Sequence, residues 1–196
     1  MNDPKTPLRI WGEETAASIL GAIWGVRITG LHLVPRAGPL IVACNHASMV
    51  DPPLLGSAIA PARGPRFLAK KELFRVPGLS WFMRGVGVIP LDRGNADHSA
   101  MRAALETLEA GGSVVIFPEG TRMRSGERRP PKLGVSFLAG RTRARVTPAH
   151  VVGTREFPRR FPLEVRFGTP LEPPRSDARE AAASFARSVM DAIYAL

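Results

Sequence analysis

The sequence predicts an α/β fold: a single domain with a mixed, largely parallel β-sheet flanked by helices. Two observations carry this. Short apolar runs suited to strands alternate along the chain with segments of helical period. No internal repeat and no linker long enough to separate two folding units interrupts that alternation. With 196 residues, 44% of them hydrophobic, the chain can bury one sizeable core.

In order, residues 8–24 read as a helix, with Leu8, Trp11, Ile19, Ile23 and Trp24 on one broad apolar surface. Val26 to Val34 alternates approximately and reads as a strand ending at Pro35. The turn Arg36-Ala37-Gly38-Pro39 then leads into the apolar run Leu40–Cys44, a buried strand. Pro52 starts a helix over 52–59, and Asp51 stands in its N-cap position. Arg66–Lys70 is a short strand, Leu79–Arg84 a short helix, and Gly85–Leu91 a strand punctuated by glycines.

Ala96–Ala110 is the clearest internal helix. Met101, Ala104, Leu105 and Leu108 share one face, and Gly111-Gly112 stops it. Ser113–Phe117 follows as a strand, then a basic loop Arg122–Arg129 and a helix over 132–140. Arg145–Val152 and Leu163–Phe167 read as strands. The last helix, 177–195, opens on the capping pair Asp177 and Glu180 and carries the stripe Phe185, Val189, Ile193, Leu196.

Charge and targeting features narrow the partners. The 27 Lys and Arg against 17 Asp and Glu give a net +10, which favours phosphates, acidic lipid headgroups, nucleic acid or an acidic carrier protein. Nucleic acid is disfavoured, because the basic stretch Arg122–Arg145 holds one aromatic, Phe137, and offers no stacking platform. The single cysteine, Cys44, excludes an internal disulfide, fits a reducing compartment and reads as a buried structural thiol. The start of the chain has no secretory pattern. Its longest apolar run, Ala16–Val26, is short of the ~20 residues that cross a bilayer. Residues 1–25 therefore form an N-terminal helical segment, buried in the core or lying in a membrane interface, and residues 26–196 the domain proper.

The chemistry concentrates at strand ends. Asn45-His46-Ala47-Ser48-Met49-Val50-Asp51 leaves the strand Leu40–Cys44, and the end of a sheet strand is a frequent place for reactive groups. Residues five apart on a helix stand about 140° apart, so His46 and Asp51 meet only across a turn. In a turn, Asp51 accepts a hydrogen bond from one imidazole nitrogen and leaves the other as a base. Alone, so short a pattern reads first as a helix cap beside a loop histidine. Ser48 lacks a nucleophile elbow, and His32, His98 and His150 are too scattered for metal-ligand spacing.

Phe117-Pro118-Glu119-Gly120-Thr121-Arg122 supplies a tight turn where Gly120 admits a ligand to the backbone and Arg122 can grip a phosphate. Arg93 and Lys70 are further cations at strand ends.

These two blocks, about 70 residues apart, resemble those of the glycerolipid acyltransferases, particularly the lysophosphatidate acyltransferases. Gly87–Arg93 resembles a second family block, with Pro90 and Leu91 in place of Phe and Ile. Arg145–Ala149 resembles the fourth loosely, through Pro148. The resemblance implies that 26–196 is an acyltransferase domain in which His46 is the base and Asp51 its orienting partner. The acceptor is then a lysophospholipid and the acyl donor acyl-CoA or acyl-carrier protein, with no cofactor and no metal. Lys70, Arg93 and Arg122 would hold the acceptor phosphate, and Glu119, Gly120 and Thr121 would shape the substrate site. It further implies peripheral attachment to an anionic membrane surface, on the cytoplasmic side of the cell membrane. The alternatives are a different lysolipid acceptor such as a lyso-aminolipid, a thioesterase or lipase, and a non-enzymatic binder of membranes or nucleic acid.

Overall fold

A computed structural model describes residues 25–92, 98–123, 129–159, 163–174 and 178–196. The expected helix over 8–24, the interfacial segment, Arg93, Asp177 and most of the basic loop after Arg122 lie outside the described residues.

Among the described residues, seven strands form one sheet in the order β1-β7-β6-β2-β5-β3-β4. They are β1 (Val26–Thr29), β2 (Leu40–Cys44), β3 (Arg66–Lys70), β4 (Ile89–Leu91), β5 (Ser113–Ile116), β6 (Arg145–Val152) and β7 (Leu163–Phe167). Every pairing is parallel except β6 with β7. The helices are α1 (Asp51–Ile59), α2 (Leu79–Gly85), α3 (His98–Glu109), α4 (Gly134–Thr142) and α5 (Arg179–Tyr194), so the expected α/β class is the one observed.

β2 lies centrally, between β5 and β6, and shows why its sequence is uniformly apolar. Leu40, Val42 and Cys44 pack on one face with Leu54, Leu55 and Ile59 of α1. Ile41 and Ala43 pack on the other with Ala104 and Leu108 of α3, Leu138 of α4 and Val189 and Ile193 of α5. A strand covered on both faces has no position for a polar side chain. β7 is different: Leu163, Val165 and Phe167 are buried while Glu164 and Arg166, paired at 2.6 Å, alternate with them.

Three expectations shift. β1 stops at Thr29 because Gly30, at φ 72°, turns the chain into a 3-10 helix, Leu31–Leu33. A Cβ at Gly30 would lie 2.0 Å from the Phe167 carbonyl oxygen, so only glycine fits between β1 and β7. The strand expected over Gly85–Leu91 is confined to Ile89–Leu91, because α2 and its closing turn take the preceding residues. Asp51 is not the cap of α1. It is the first residue of the helix, Val50 holds the cap position, and the Asp51 carboxylate turns back onto the preceding loop.

Because β2, β5 and β6 run parallel, the segments leaving their carboxyl ends meet at one edge of the sheet. These are the 45–50 loop, the 117–123 loop and the 3-10 helix Thr154–Glu156.

Candidate active site

His46 and Asp51 meet across the predicted turn. Nδ1 of His46 lies 2.9 Å from Oδ2 of Asp51. The same oxygen accepts the backbone N–H groups of Ala47 at 2.6 Å and Ser48 at 2.7 Å. The other oxygen accepts the Thr154 hydroxyl at 2.5 Å. Asp51 is 0% exposed, and a buried carboxylate is tolerated only when its lone pairs are filled. Here four donors converge on it. An acceptor already ringed by donors requires a proton on Nδ1, so in the neutral ring Nε2 carries the free lone pair. The imidazole is held from one side by Phe117, stacked at 4.2 Å between centroids.

Neighbouring bonds lock the loop to the sheet. The Asn45 side chain forms a two-way pair with the Val151 backbone, donating to its carbonyl at 2.9 Å and accepting its N–H at 2.7 Å. That joins the end of β2 to β6. Cys44 donates to Asn45 Oδ1 at 3.4 Å, and burial pushes its thiol pKa well up, which suits a structural thiol.

The 117–123 segment grips His46 by its backbone. Glu119 Oε1 accepts the His46 N–H at 3.3 Å, and the Met123 N–H donates to the His46 carbonyl at 2.8 Å. The turn closes with Gly120 N–H on the Phe117 carbonyl at 3.0 Å. Gly120 has φ 74°, and a Cβ there would press on the Lys132 side chain at 3.1 Å. Lys132 in turn donates its backbone N–H to the Pro118 carbonyl at 2.8 Å, fastening the approach to α4.

Glu119 is 2% exposed, and besides His46 it accepts the Tyr194 hydroxyl at 2.9 Å. Its Oε2 is buried without a hydrogen-bond partner among the described residues. Burial, opposed by the bonds from Tyr194 and His46, raises its pKa to about 7. Glu119 is thus a buried strut between the two blocks and the last helix.

The remaining expected residues are peripheral. Thr121 is half-buried, Arg122 is exposed beyond the turn, and Lys70 is exposed and ion-paired with Glu72 at 3.4 Å. Among the described residues no group of three His, Cys, Asp or Glu side chains is placed to hold a metal ion. Sequence reasoning passed over Thr154 and Tyr194. Their partners lie 103 and 75 positions away, and neither belongs to a motif block. The only local hint was Gly153-Thr154 at the end of a strand neighbouring β2.

A family model described as Acyltransferase matches residues 25–152, the stretch holding both blocks, β1 to β6 and His46 with Asp51. The chain belongs to the Acyltransferase family. This acyltransferase is 31% identical over 156 residues to the 1-acyl-sn-glycerol-3-phosphate acyltransferase of Bacillus subtilis, covering 78% of this chain and 77% of the relative. It is 38% identical over 97 residues to the lyso-ornithine lipid O-acyltransferase of Pseudomonas aeruginosa, covering 49% of this chain and 35% of that one. Among solved structures, the 1-acyl-sn-glycerophosphate acyltransferase PlsC of Thermotoga maritima superposes with a TM-score of 0.76 at 26% identity. That match covers 95% of this chain and 77% of the other. As an acyltransferase the chain transfers an acyl group to an acceptor, and the named relatives act on lysolipids.

Proposed function

We propose that this acyltransferase moves a fatty acyl group from acyl-CoA or acyl-carrier protein to the free hydroxyl of lysophosphatidate, giving phosphatidate. The observation that carries the mechanism is the 2.9 Å contact of His46 Nδ1 with a carboxylate already saturated by donors. Nε2 takes the acceptor's hydroxyl proton as its oxygen attacks the thioester carbonyl. The tetrahedral intermediate then collapses, the C–S bond breaks, and the imidazolium returns its proton to the leaving thiolate. Asp51 stabilises the imidazolium in between, and backbone N–H groups of the 117–122 turn are the candidate donors to the oxyanion. Arg122, with Arg93 and Lys70, holds the acceptor phosphate, Gly120 and Thr121 border it, and Glu119 supports the site from beneath. A lyso-aminolipid acceptor is the second reading, favoured by the identity to the Pseudomonas aeruginosa relative. The enzyme works attached to the cytoplasmic face of a membrane. Among the described residues no helix is long and apolar enough to cross one.

The test is release of free thiol from acyl-CoA by purified protein with and without lysophosphatidate. Release that depends on the acceptor supports transfer, whereas equal release without it means hydrolysis. Dependence on a lyso-aminolipid in place of lysophosphatidate selects the second reading.

Two variants dissect the site. Arg122→Ala is expected to raise the KM for lysophosphatidate about tenfold or more and leave kcat nearly unchanged, the usual scale for losing a hydrogen bond to a charged group. An unchanged KM removes Arg122 from phosphate binding. Thr154→Val deletes one donor to the buried Asp51 carboxylate while keeping the side chain's shape. We expect kcat to fall roughly tenfold and Thr154→Ser to recover most of it. Loss in Thr154→Ser with none in Thr154→Val would make Thr154 a packing residue only.

A further inference from the structure

We propose that the crossover between β3 and β4, residues 71–85, is a membrane-docking element that seats the sheet's active edge on an anionic bilayer. Its choice of partner rests on the lipid-acceptor reading above, while its evidence is a separate surface. Within seven positions of this crossover four large apolar side chains stand exposed: Val76, Leu79, Trp81 and Phe82. Trp81 is 67% exposed, and α2 sends only Met83 into the core. A helix whose largest aromatics face outward spends its hydrophobic surface on a partner rather than on its own fold.

The charges around the patch choose that partner. From Lys70 to Leu91 the chain carries Lys70, Lys71, Arg75 and Arg84 against one acid, Glu72. Glu72 is matched by Lys70, and Lys71 is matched by Asp92. Arg75 and Arg84 remain exposed, and among the described residues no carboxylate pairs with either. The Arg84 guanidinium lies over the Phe74 ring at 5.7 Å, its charge held beside the apolar surface. Aromatic and aliphatic side chains bordered by arginines suit the boundary between acyl chains and anionic headgroups, where the rings bury and the cations reach phosphates.

The position fits the same partner. β3 runs parallel to β5, and β5 to β2, so the crossover leaves the sheet at the edge where the 45–50 loop emerges. That loop exposes Met49, 64% accessible and two residues before Asp51. Leu133, one residue beyond the Lys132 that is bonded to Pro118, is also exposed. Apolar side chains therefore project from the segments following β2, β3 and β5, at the sheet edge where the 45–50 loop emerges. A lysolipid presents its headgroup at a bilayer surface, so a docked edge meets its acceptor without extracting it.

The experiment uses the full chain with Trp11→Phe and Trp24→Phe, which leaves Trp81 as the one tryptophan. Vesicles of pure phosphatidylcholine are compared with vesicles containing an equal share of phosphatidylglycerol, with brominated acyl chains as the quencher. Docking predicts a blue shift and quenching of Trp81 emission with the anionic vesicles. Unshifted, unquenched emission in the presence of bound protein overturns the proposal. In the native background, Trp81→Gln with Phe82→Gln should weaken sedimentation with anionic vesicles about tenfold or more. It should also slow acylation of vesicle-embedded lysophosphatidate and leave turnover of a short-chain, monomeric lysophosphatidate unchanged. Loss of both activities would mean a damaged fold and would overturn the docking role. Unchanged vesicle binding with a dimer dissociated to monomers would assign the patch to a second copy of the chain. Failure of the wild-type protein on the monomeric substrate would refute the acceptor reading and leave the fluorescence result standing as its own test.

Discussion

Replacing His46 with alanine is expected to remove acceptor-dependent thiol release, lowering kcat by roughly 10²–10⁴-fold, the range that a positioned general base contributes. KM values should change little, because Nε2 acts on a proton that moves only in the transition state. Asp51→Asn is the more discriminating companion. Three of the four donors on Asp51 converge on Oδ2, and the fourth is a hydroxyl on Oδ1 that can rotate to accept instead. An amide can therefore place its oxygen toward Nδ1 of His46 and the two loop N–H groups, and its nitrogen toward Thr154. Geometry and tautomer survive while the negative charge beside the imidazolium is lost. We expect a loss of roughly 10²-fold with an unchanged melting profile. Thiol release and thermal unfolding measured on the same preparations check both variants. Full activity in His46→Ala would remove the base from the mechanism.

Glu119→Gln should flatten the pH dependence of stability. The Glu119 carboxyl, ordinarily near 4.5, sits at about 7 in the fold, chiefly because burial disfavours its charge. The folded state thus holds this proton more tightly than the unfolded chain. Glu119 stability is full below about pH 4.5, and it declines as pH rises through about 7. From 4.5 to about 7 the accumulated loss is on the order of 3 kcal/mol, at about 1.4 kcal/mol per pH unit. Glutamine cannot ionise, so the variant should lose this slope and gain relative stability at alkaline pH. Tyr194→Phe should act oppositely. It removes a bond that favours the carboxylate, pushing the Glu119 pKa further up and extending the decline to higher pH. Denaturant unfolding across this pH interval reads both, and an unaltered slope in Glu119→Gln would mean that other groups set it.

The sheet was legible in the sequence where its elements are locally determined. β2, β3, β6 and β7 begin and end where composition and turn residues place them, because a strand's apolar pattern and its punctuation are both local. β4 was misjudged in length: Gly85–Leu91 has the β-branched content of a strand, but only Ile89–Leu91 finds a partner in β3. Asp51 was misplaced for a related reason. Asp before Pro has the composition of a helix cap, and only the folded loop shows its carboxylate serving His46, Ala47, Ser48 and Thr154 instead.

The candidate site divides along the same line. From the sequence alone came the α/β class, the two motif blocks, the need for a turn between His46 and Asp51, and the family resemblance. These depend on residue type and short spacing. The tertiary structure decided that Glu119 is a buried strut, that Thr154 completes the carboxylate's ring of donors, and that Tyr194 reaches the site from the last helix. It also decided that Trp81 faces outward. Each of these depends on which strands lie side by side or on which face of a helix remains uncovered, and that follows from sheet order and packing rather than from neighbours in the chain.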